Sequence, residues 1–174
     1  MNIKEWRLPD IWLLEPKVEW DHRGNFVELE IEKEYDNLPP KIHFPYICLS
    51  TSSRGVLRGI HYSPHCWKIY QCFNGSLYYV FINLDKNSSD YGKWDSLLLK
   101  PYTQVLKHPR YGAGFLALED NTILYYAQEQ YYNYTDPDQQ TFRYDHFQDV
   151  WWPKMPYLLS KRDEQGEYEF RIRK

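Results

Sequence analysis

Turn-forming residues recur along this chain roughly every 8–12 residues, and the stretches between them suit short strands rather than helices. Eleven Pro and eight Gly supply much of this punctuation. The runs between them are rich in Tyr, Trp, Phe, Val and Ile, the composition of strands. No segment sustains a 3.6-residue apolar period. The clearest run is S-L-Y-Y-V-F-I-N-L at 76–84, bounded by Asn74-Gly75 and by the polar D-K-N-S-S-D that follows. Further strands are predicted at 11–18, 24–31, 43–49, 55–62, 67–73, 94–99, 103–107, 114–118, 122–128 and 141–145. One short helix is expected at 31–37. Without an internal repeat or linker-like stretch, the expectation is one all-β domain over 1–174, a sandwich or barrel.

Aromatic content fits such a fold. Seven Trp, 17 Tyr and 8 Phe are far too many for a disordered chain, and in a β-rich domain most of them fill the interior and pair across strands. The charge balance, 21 Lys and Arg against 24 Asp and Glu for a net −3, contains no basic run, so no nucleic-acid partner is expected. The charge-free stretch 69–84 includes Gln71, Asn74, Gly75, Ser76 and Asn83 and is shorter than the ~20 apolar residues of a membrane helix. The first residues, M-N-I-K-E-W-R-L, hold no apolar signal-peptide core. Cys48, Cys66 and Cys72 are odd in number and lack C-x-x-C spacing, which points to neither a disulfide framework nor a zinc site. A cytoplasmic location with no membrane partner is the expectation.

The densest polar cluster inside a predicted strand is Arg58-Gly59-Ile60-His61, with Lys68 soon after. On a regular strand Arg58 and His61 face opposite ways. Gly59 permits a bulge that would turn both toward one cavity. The plainer reading of this segment by itself is a structural His beside a surface Arg. His61 and His65 stand four apart, a spacing that suits a metal on one helix face, but they lie in H-Y-S-P-H, which does not read as helix; no metal is expected. The turn D-H-R-G-N-F-V-E at 21–28 carries Arg23, Phe26 and Glu28. Tyrosine pairs stand at 78–79, 125–126 and 131–132, one member of each facing inward on a strand.

Taken in order, these segments resemble the dTDP-4-dehydrorhamnose 3,5-epimerase family over roughly 9–163. The resemblance is carried by L-P-D-I-W-L-L-E-P-K-V, D-H-R-G-N-F-V-E and G-V-L-R-G-I-H-Y. It continues in W-K-I-Y-Q-C-F-N-G-S-L-Y-Y-V-F-I-N-L-D-K-N-S-S-D-Y-G-K-W, similar to the family's K-L-V-x-x-x-x-G-x-x-x-D-V-x-V-D-x-R-x-x-S-x-T-F-G-x-W. V-W-W-P and L-L-S-K-R-D complete it. The resemblance implies a cupin-type jelly-roll homodimer without metal or organic cofactor. It also implies an isomerase that moves protons alpha to the ketone of a nucleotide-linked 4-keto sugar, at C3, C5 or both. A C–H beside a carbonyl is weakly acidic, so such a site needs a base, a proton donor and stabilisation of the enolate. The family's L-R-G-x-H supplies the base, here His61, and its L-S-x-x-D the carboxylate that orients the base, here Asp163. The general acid maps to Tyr126. Lys68 would sit near the enolate oxygen and Arg58 toward the diphosphate. Arg23, Phe26 and Glu28 match a nucleotide-contacting turn that reaches into the partner subunit's site. Tyr46 and Tyr62 are further candidates to line the cleft.

The chain also departs from the family. P-R-Y-G-A-G-F at 109–115 is one residue shorter than the usual P-x-G-F-x-H-G-F and has Ala113 in place of the His. Ile82-Asn83-Leu84-Asp85 replaces V-D-x-R, and Tyr46-Ile47-Cys48 replaces Q-D-N. Base, acid, Arg and Lys remain while groups that tailor the substrate differ, which implies a different 4-keto sugar or reaction at one carbon, carried by dTDP, GDP or CDP. The alternative is a non-catalytic nucleotide-sugar or glycan binder on the same fold, although a binder has no need of a base and an acid together.

Overall fold

The computed structural model describes residues 1–29, 38, 42–133 and 135–166. The helix expected at 31–37 lies outside these residues. Among the described residues thirteen strands are present: β1 Asn2–Glu5, β2 Ile11–Glu15, β3 Val18–Asp21, β4 Gly24–Val27, β5 Tyr46–Ser52, β6 Leu57–Tyr62, β7 Lys68–Asn74, β8 Leu77–Asn83, β9 Trp94–Leu99, β10 Gln104–Lys107, β11 Tyr111–Ala117, β12 Thr122–Gln128 and β13 Gln140–Thr141. One helix among the described residues, α1, spans Lys161–Gln165. A six-stranded sheet runs β1-β2-β10-β7-β12-β5 and a five-stranded sheet β13-β6-β11-β8-β9, with β3 and β4 forming a separate hairpin. Every strand pair in these sheets is antiparallel. The expected all-β sandwich is thus met.

Alternation along the strands decides which residues meet between the sheets. Ile11, Leu13, Cys72, Val105 and Leu124 of the larger sheet pack against Leu77, Tyr79, Phe81, Leu97, Leu99, Phe115 and Ala117 of the smaller. The opposite face of β8 is also covered: Val80 and Ile82 pack with Leu57, Ile60 and Leu116 beneath Val150 and Trp152 of the C-terminal segment. Burial on both faces explains why 76–84 reads as a nearly unbroken apolar run rather than an alternating one. A third cluster, with Trp12, Leu14, Trp67, Ile69 and Leu106, covers the outer face of the larger sheet.

Several boundaries differ from the sequence reading. The expected strand at 11–18 is two strands, because Pro16 cannot donate to a ladder and the chain turns there into the β3–β4 hairpin. β11 begins at Tyr111, ahead of the expected 114, since Gly112 and Ala113 are small enough to lie flat in the sheet. A Cβ on Gly112 would come within 2.5 Å of Leu84 and 2.8 Å of Ile60. The polar β1 carries no strand signal of its own and exists through pairing with β2. The one-turn α1 is too short to show a helical period.

Candidate active site

The site is built around a bulge. Along β11, Ala113 pairs with His61 and Phe115 with Arg58, so two steps on one strand match three on the other. Gly59 absorbs the extra residue at φ +97°. Its position also demands glycine, because a Cβ would lie 2.7 Å from the Ala113 carbonyl oxygen. Arg58 and His61, separated by an odd number of residues, consequently line the same cavity of about 290 Å³. Its wall from the larger sheet carries Lys68, Tyr70 and Tyr126, and Tyr46 and Tyr62 also reach it.

Asp163 approaches His61 from the far end of the chain. Ser160 caps α1: its hydroxyl oxygen accepts the Asp163 backbone N–H at 3.1 Å and its O–H donates to Asp163 Oδ2 at 2.7 Å. This fixes the carboxylate in the first turn, a common capping arrangement. The Gly59 N–H donates to Oδ1 at 3.1 Å, and His61 Nε2 lies 2.7 Å from the same oxygen. Burial by itself would raise the Asp163 pKa, but the bonds from His61, Ser160 and Gly59 outweigh it and hold the group at about 2. The carboxylate is therefore ionised at neutral pH and only 4% exposed. With Nε2–H given to Asp163, the basic nitrogen left to His61 is Nδ1.

The remaining cavity groups are cationic or phenolic. Burial lowers the Lys68 pKa, and its ammonium donates to Ser63 Oγ at 3.2 Å. Directly opposite it in register, β10 places Lys107. Lys107 is 2% exposed, donates to the carbonyls of Tyr111 at 2.6 Å and His108 at 3.1 Å, and is brought by burial, and next by the charge of Lys68, to about 7. Burial, followed by a hydrogen bond with Cys48, raises the Tyr126 pKa, so its phenol holds its proton at any physiological pH. Arg58 is exposed at the rim, with Ser52 Oγ 3.5 Å away.

Arg23, Phe26 and Glu28 are not brought to this cavity. Arg23 and Phe26 belong to the β3–β4 hairpin, Glu28 follows it, and all three are exposed. Arg23 is held by Asp21 through its guanidinium, with Nε 3.0 Å from Oδ2. Trp20 and Phe26 are 68% and 66% exposed. The hairpin is held near its turn, where Asn25 donates to the Tyr102 hydroxyl at 2.8 Å and Trp20 meets the Tyr102 ring edge-on.

Sequence reasoning missed Arg162, which lines the cavity and is aimed by bonds to Thr141 Oγ1 at 2.8 Å and the Tyr132 hydroxyl at 2.7 Å. It also missed Ser160, although the S-x-x-D capping pattern was a readable signal. Arg162 had no signal, because only α1 turns it inward. Among the described residues, no group of three His, Cys, Asp or Glu side chains could hold a metal ion. His65 contacts Asp138 at 3.3 Å instead.

A family model described as dTDP-4-dehydrorhamnose 3,5-epimerase matches residues 5–169. The chain belongs to this family. A dTDP-4-dehydrorhamnose 3,5-epimerase of Shigella flexneri is 30% identical over 173 residues, covering 96% of this chain and 95% of the relative. A dTDP-6-deoxy-D-glucose-3,5-epimerase of Legionella pneumophila, crystallised with dTDP-4-keto-L-rhamnose, superposes with a TM-score of 0.87 at 26% identity, covering 94% of this chain and 90% of that one. A 3'-monoepimerase of Streptomyces bikiniensis in complex with dTDP-quinovose gives 0.84 at 26% identity, with coverage of 92% and 84%. The family includes enzymes named for two inversions and for one.

Proposed function

We propose that this chain is an epimerase of a nucleotide-linked 4-keto sugar, working as a single domain. The observation that carries the reading is the His61–Asp163 pair, bonded at 2.7 Å at the wall of a cavity that also holds Tyr126 and Lys68. His61 Nδ1 takes the proton alpha to the C4 ketone, and the buried Asp163 carboxylate stabilises the imidazolium that forms. The electron pair released from the C–H bond moves into a C–C double bond, and the carbonyl pair moves onto oxygen. The Lys68 ammonium, withdrawn from bulk water by burial, offsets that charge more strongly than a solvated ammonium would. Tyr126, kept protonated by its surroundings, delivers a proton to the opposite face of the carbon. Arg58 and Arg162, both at the cavity, suit the diphosphate.

The working unit in this reading is a homodimer, with the hairpin carrying Arg23 and Phe26, and the neighbouring Glu28, laid against the nucleotide in the partner's cavity. Two solvent-facing aromatics on the β3–β4 hairpin support it, as do Ile47, Leu49 and Phe73 exposed on the larger sheet. No helix among the described residues is long and apolar enough to cross a membrane, and we place the enzyme in the cytoplasm, where nucleotide sugars are its substrates.

The test is to incubate the protein with dTDP- and GDP-linked 4-keto-6-deoxy sugars in deuterated water and follow the H3 and H5 signals by NMR. Loss of one signal identifies a single-carbon enzyme and loss of both a double epimerase. Exchange at neither carbon with either carrier would sink the reading.

A further inference from the structure

The two faces of β12 look into different spaces. Leu124, Tyr126 and Gln128 line the cavity that holds His61, while Tyr125 and Ala127 line a separate groove on the outer face of the larger sheet. Strand alternation dictates this split. β7 divides in the same way, with Lys68 and Tyr70 in the cavity and Ile69, Gln71 and Phe73 in the outer groove. Register then sets the neighbours: Gln128 stands directly opposite Lys68 on one side and Tyr46 on the other. Side chains paired across strands in this way have Cβ atoms about 4.5–5.5 Å apart. Tyr126, two residues back on the same face, is about 7 Å away along the strand.

Gln128 is 3% exposed, yet only one end of its carboxamide is engaged. The amide nitrogen donates to the Gln130 carbonyl at 2.6 Å. A carbonyl accepts and cannot donate, so this contact settles which end is nitrogen and turns Oε1 away from Gln130. Among the described residues nothing donates to that oxygen. It nevertheless stays in contact with open space, and the space that Gln128 borders is the cavity. Lys68, across the ladder, donates instead to Ser63 Oγ at 3.2 Å. A nearly buried amide oxygen without a donor costs free energy, and a ligand that brings a donor removes the cost.

The neighbours decide which donor fits. The Lys68 ammonium repels a cationic amine, so the donor is neutral. In the epimerase reading, on which this step rests, Lys68 faces the C4 oxygen and Tyr126 the adjacent carbon that it reprotonates. A side chain flanked by those two meets whatever C3 or C5 carries. In a 4-keto-6-deoxy sugar C5 carries a methyl group and the ring oxygen, neither of which donates, whereas C3 carries a hydroxyl. We propose that Gln128 is a specificity-determining residue whose Oε1 accepts the hydrogen of the sugar's C3 hydroxyl. It moves no proton: the hydroxyl keeps its hydrogen, His61 takes the one on carbon, and Tyr126 returns one to the opposite face. The contact selects sugars that keep the C3 oxygen over 3-deoxy sugars of the same shape.

The experiment measures kcat/KM for deuterium exchange with the dTDP- or GDP-linked 4-keto-6-deoxy sugar that the enzyme accepts and with its 3-deoxy counterpart. Wild type and Gln128→Met are compared, with a urea midpoint for each. Wild type is expected to favour the 3-hydroxy sugar by about tenfold to a hundredfold, because the 3-deoxy sugar leaves the amide oxygen unpaired. Methionine matches glutamine in length without a comparable acceptor, so Gln128→Met should cut that preference by about tenfold. Any intrinsic change in C–H acidity that the missing oxygen brings cancels in this ratio of ratios. A preference that is the same in both proteins overturns the proposal, and an equal loss with both sugars would mark Gln128 as a brace for the Gln130 carbonyl. If Gln128→Met fails to fold, wild-type affinities for the two corresponding 4-hydroxy sugars, which cannot react, decide: equal values overturn the proposal. Absence of exchange with both carriers defeats the epimerase reading and the proposal with it, whereas exchange with an unaltered preference defeats the proposal alone.

Discussion

His61 Nε2 and Asp163 Oδ1 stand 2.7 Å apart across 102 residues of sequence. Asp163→Asn keeps the shape of this contact but reverses the donor and acceptor logic at Nε2, which favours the wrong imidazole tautomer. Exchange at the sugar carbon should fall by about 10³–10⁴-fold, as for other carboxylate-oriented histidines. His61→Asn should abolish it, and Tyr126→Phe should leave exchange while suppressing inversion. NMR of substrate and product in deuterated water separates the three outcomes.

The same carboxylate ties stability to acid. Asp163 in the folded chain titrates near 2, below its unfolded value of about 3.9, so the folded state holds the proton less tightly. Its contribution, about 2 kcal/mol, is fully present above pH ~4 and disappears as pH falls through 2. Urea melts should show Asp163→Asn less stable than wild type at pH 6, with the gap closing toward pH 2.

Lys107 acts in the opposite range. Its folded pKa of about 7 lies below the unfolded ~10.4, so the unfolded chain binds more protons between those values and stability from this group rises with pH there. The groups around it are Lys68, Cys66, His108 and the Tyr111 carbonyl, and Lys68 titrates in the same direction. The Lys107 contribution should rise by a few kcal/mol from pH 7 to 10. Cys72, whose thiol burial pushes up to about 11, works against it. The check is therefore the pH dependence of the difference between wild type and Lys107→Met in denaturant titrations.

Gly59→Ala tests the bulge. The added methyl would meet the Ala113 carbonyl at 2.7 Å with φ at +97°, so a cost of roughly 2–4 kcal/mol is expected. The loss of exchange activity should exceed what the stability loss explains, because Arg58, His61 and the Asp163 acceptor all hang on this residue. Activity of the still-folded fraction, measured beside its melt, is the check.

Phe26→Ala should leave the urea midpoint within about 0.5 kcal/mol of wild type, since the side chain is 66% exposed. If the hairpin serves a partner's site, the same change raises KM. Mixing Phe26→Ala with His61→Asn chains would then restore some intact sites, detectable as activity above the sum of the two.

The fold was legible where one physical cause dominated. The run at 76–84 stood out because β8 is buried on both faces, and Gly59 hinted at the bulge because only glycine takes that backbone beside a second strand. Asp163 was reached only through the family's L-S-x-x-D, since nothing local to α1 says that its carboxylate meets a strand 102 residues earlier. Arg162 escaped notice for the same reason. Tyr70 and Tyr79 show the limit plainly: their rings lie 5.0 Å apart across the two sheets, and nothing among 17 tyrosines in the sequence pairs them.

The capping of α1 by Ser160 also bears on how the molecule comes into being. Every strand of both sheets precedes Ser160, so a chain emerging from the ribosome can complete its sandwich before the segment that carries Asp163 is free to dock. Until that last turn seats, His61 has no partner and Gly59 N–H no acceptor. A protease that cuts beside Ser160 is expected to part Asp163 from His61 while leaving both sheets, whose strands all precede the cut, intact.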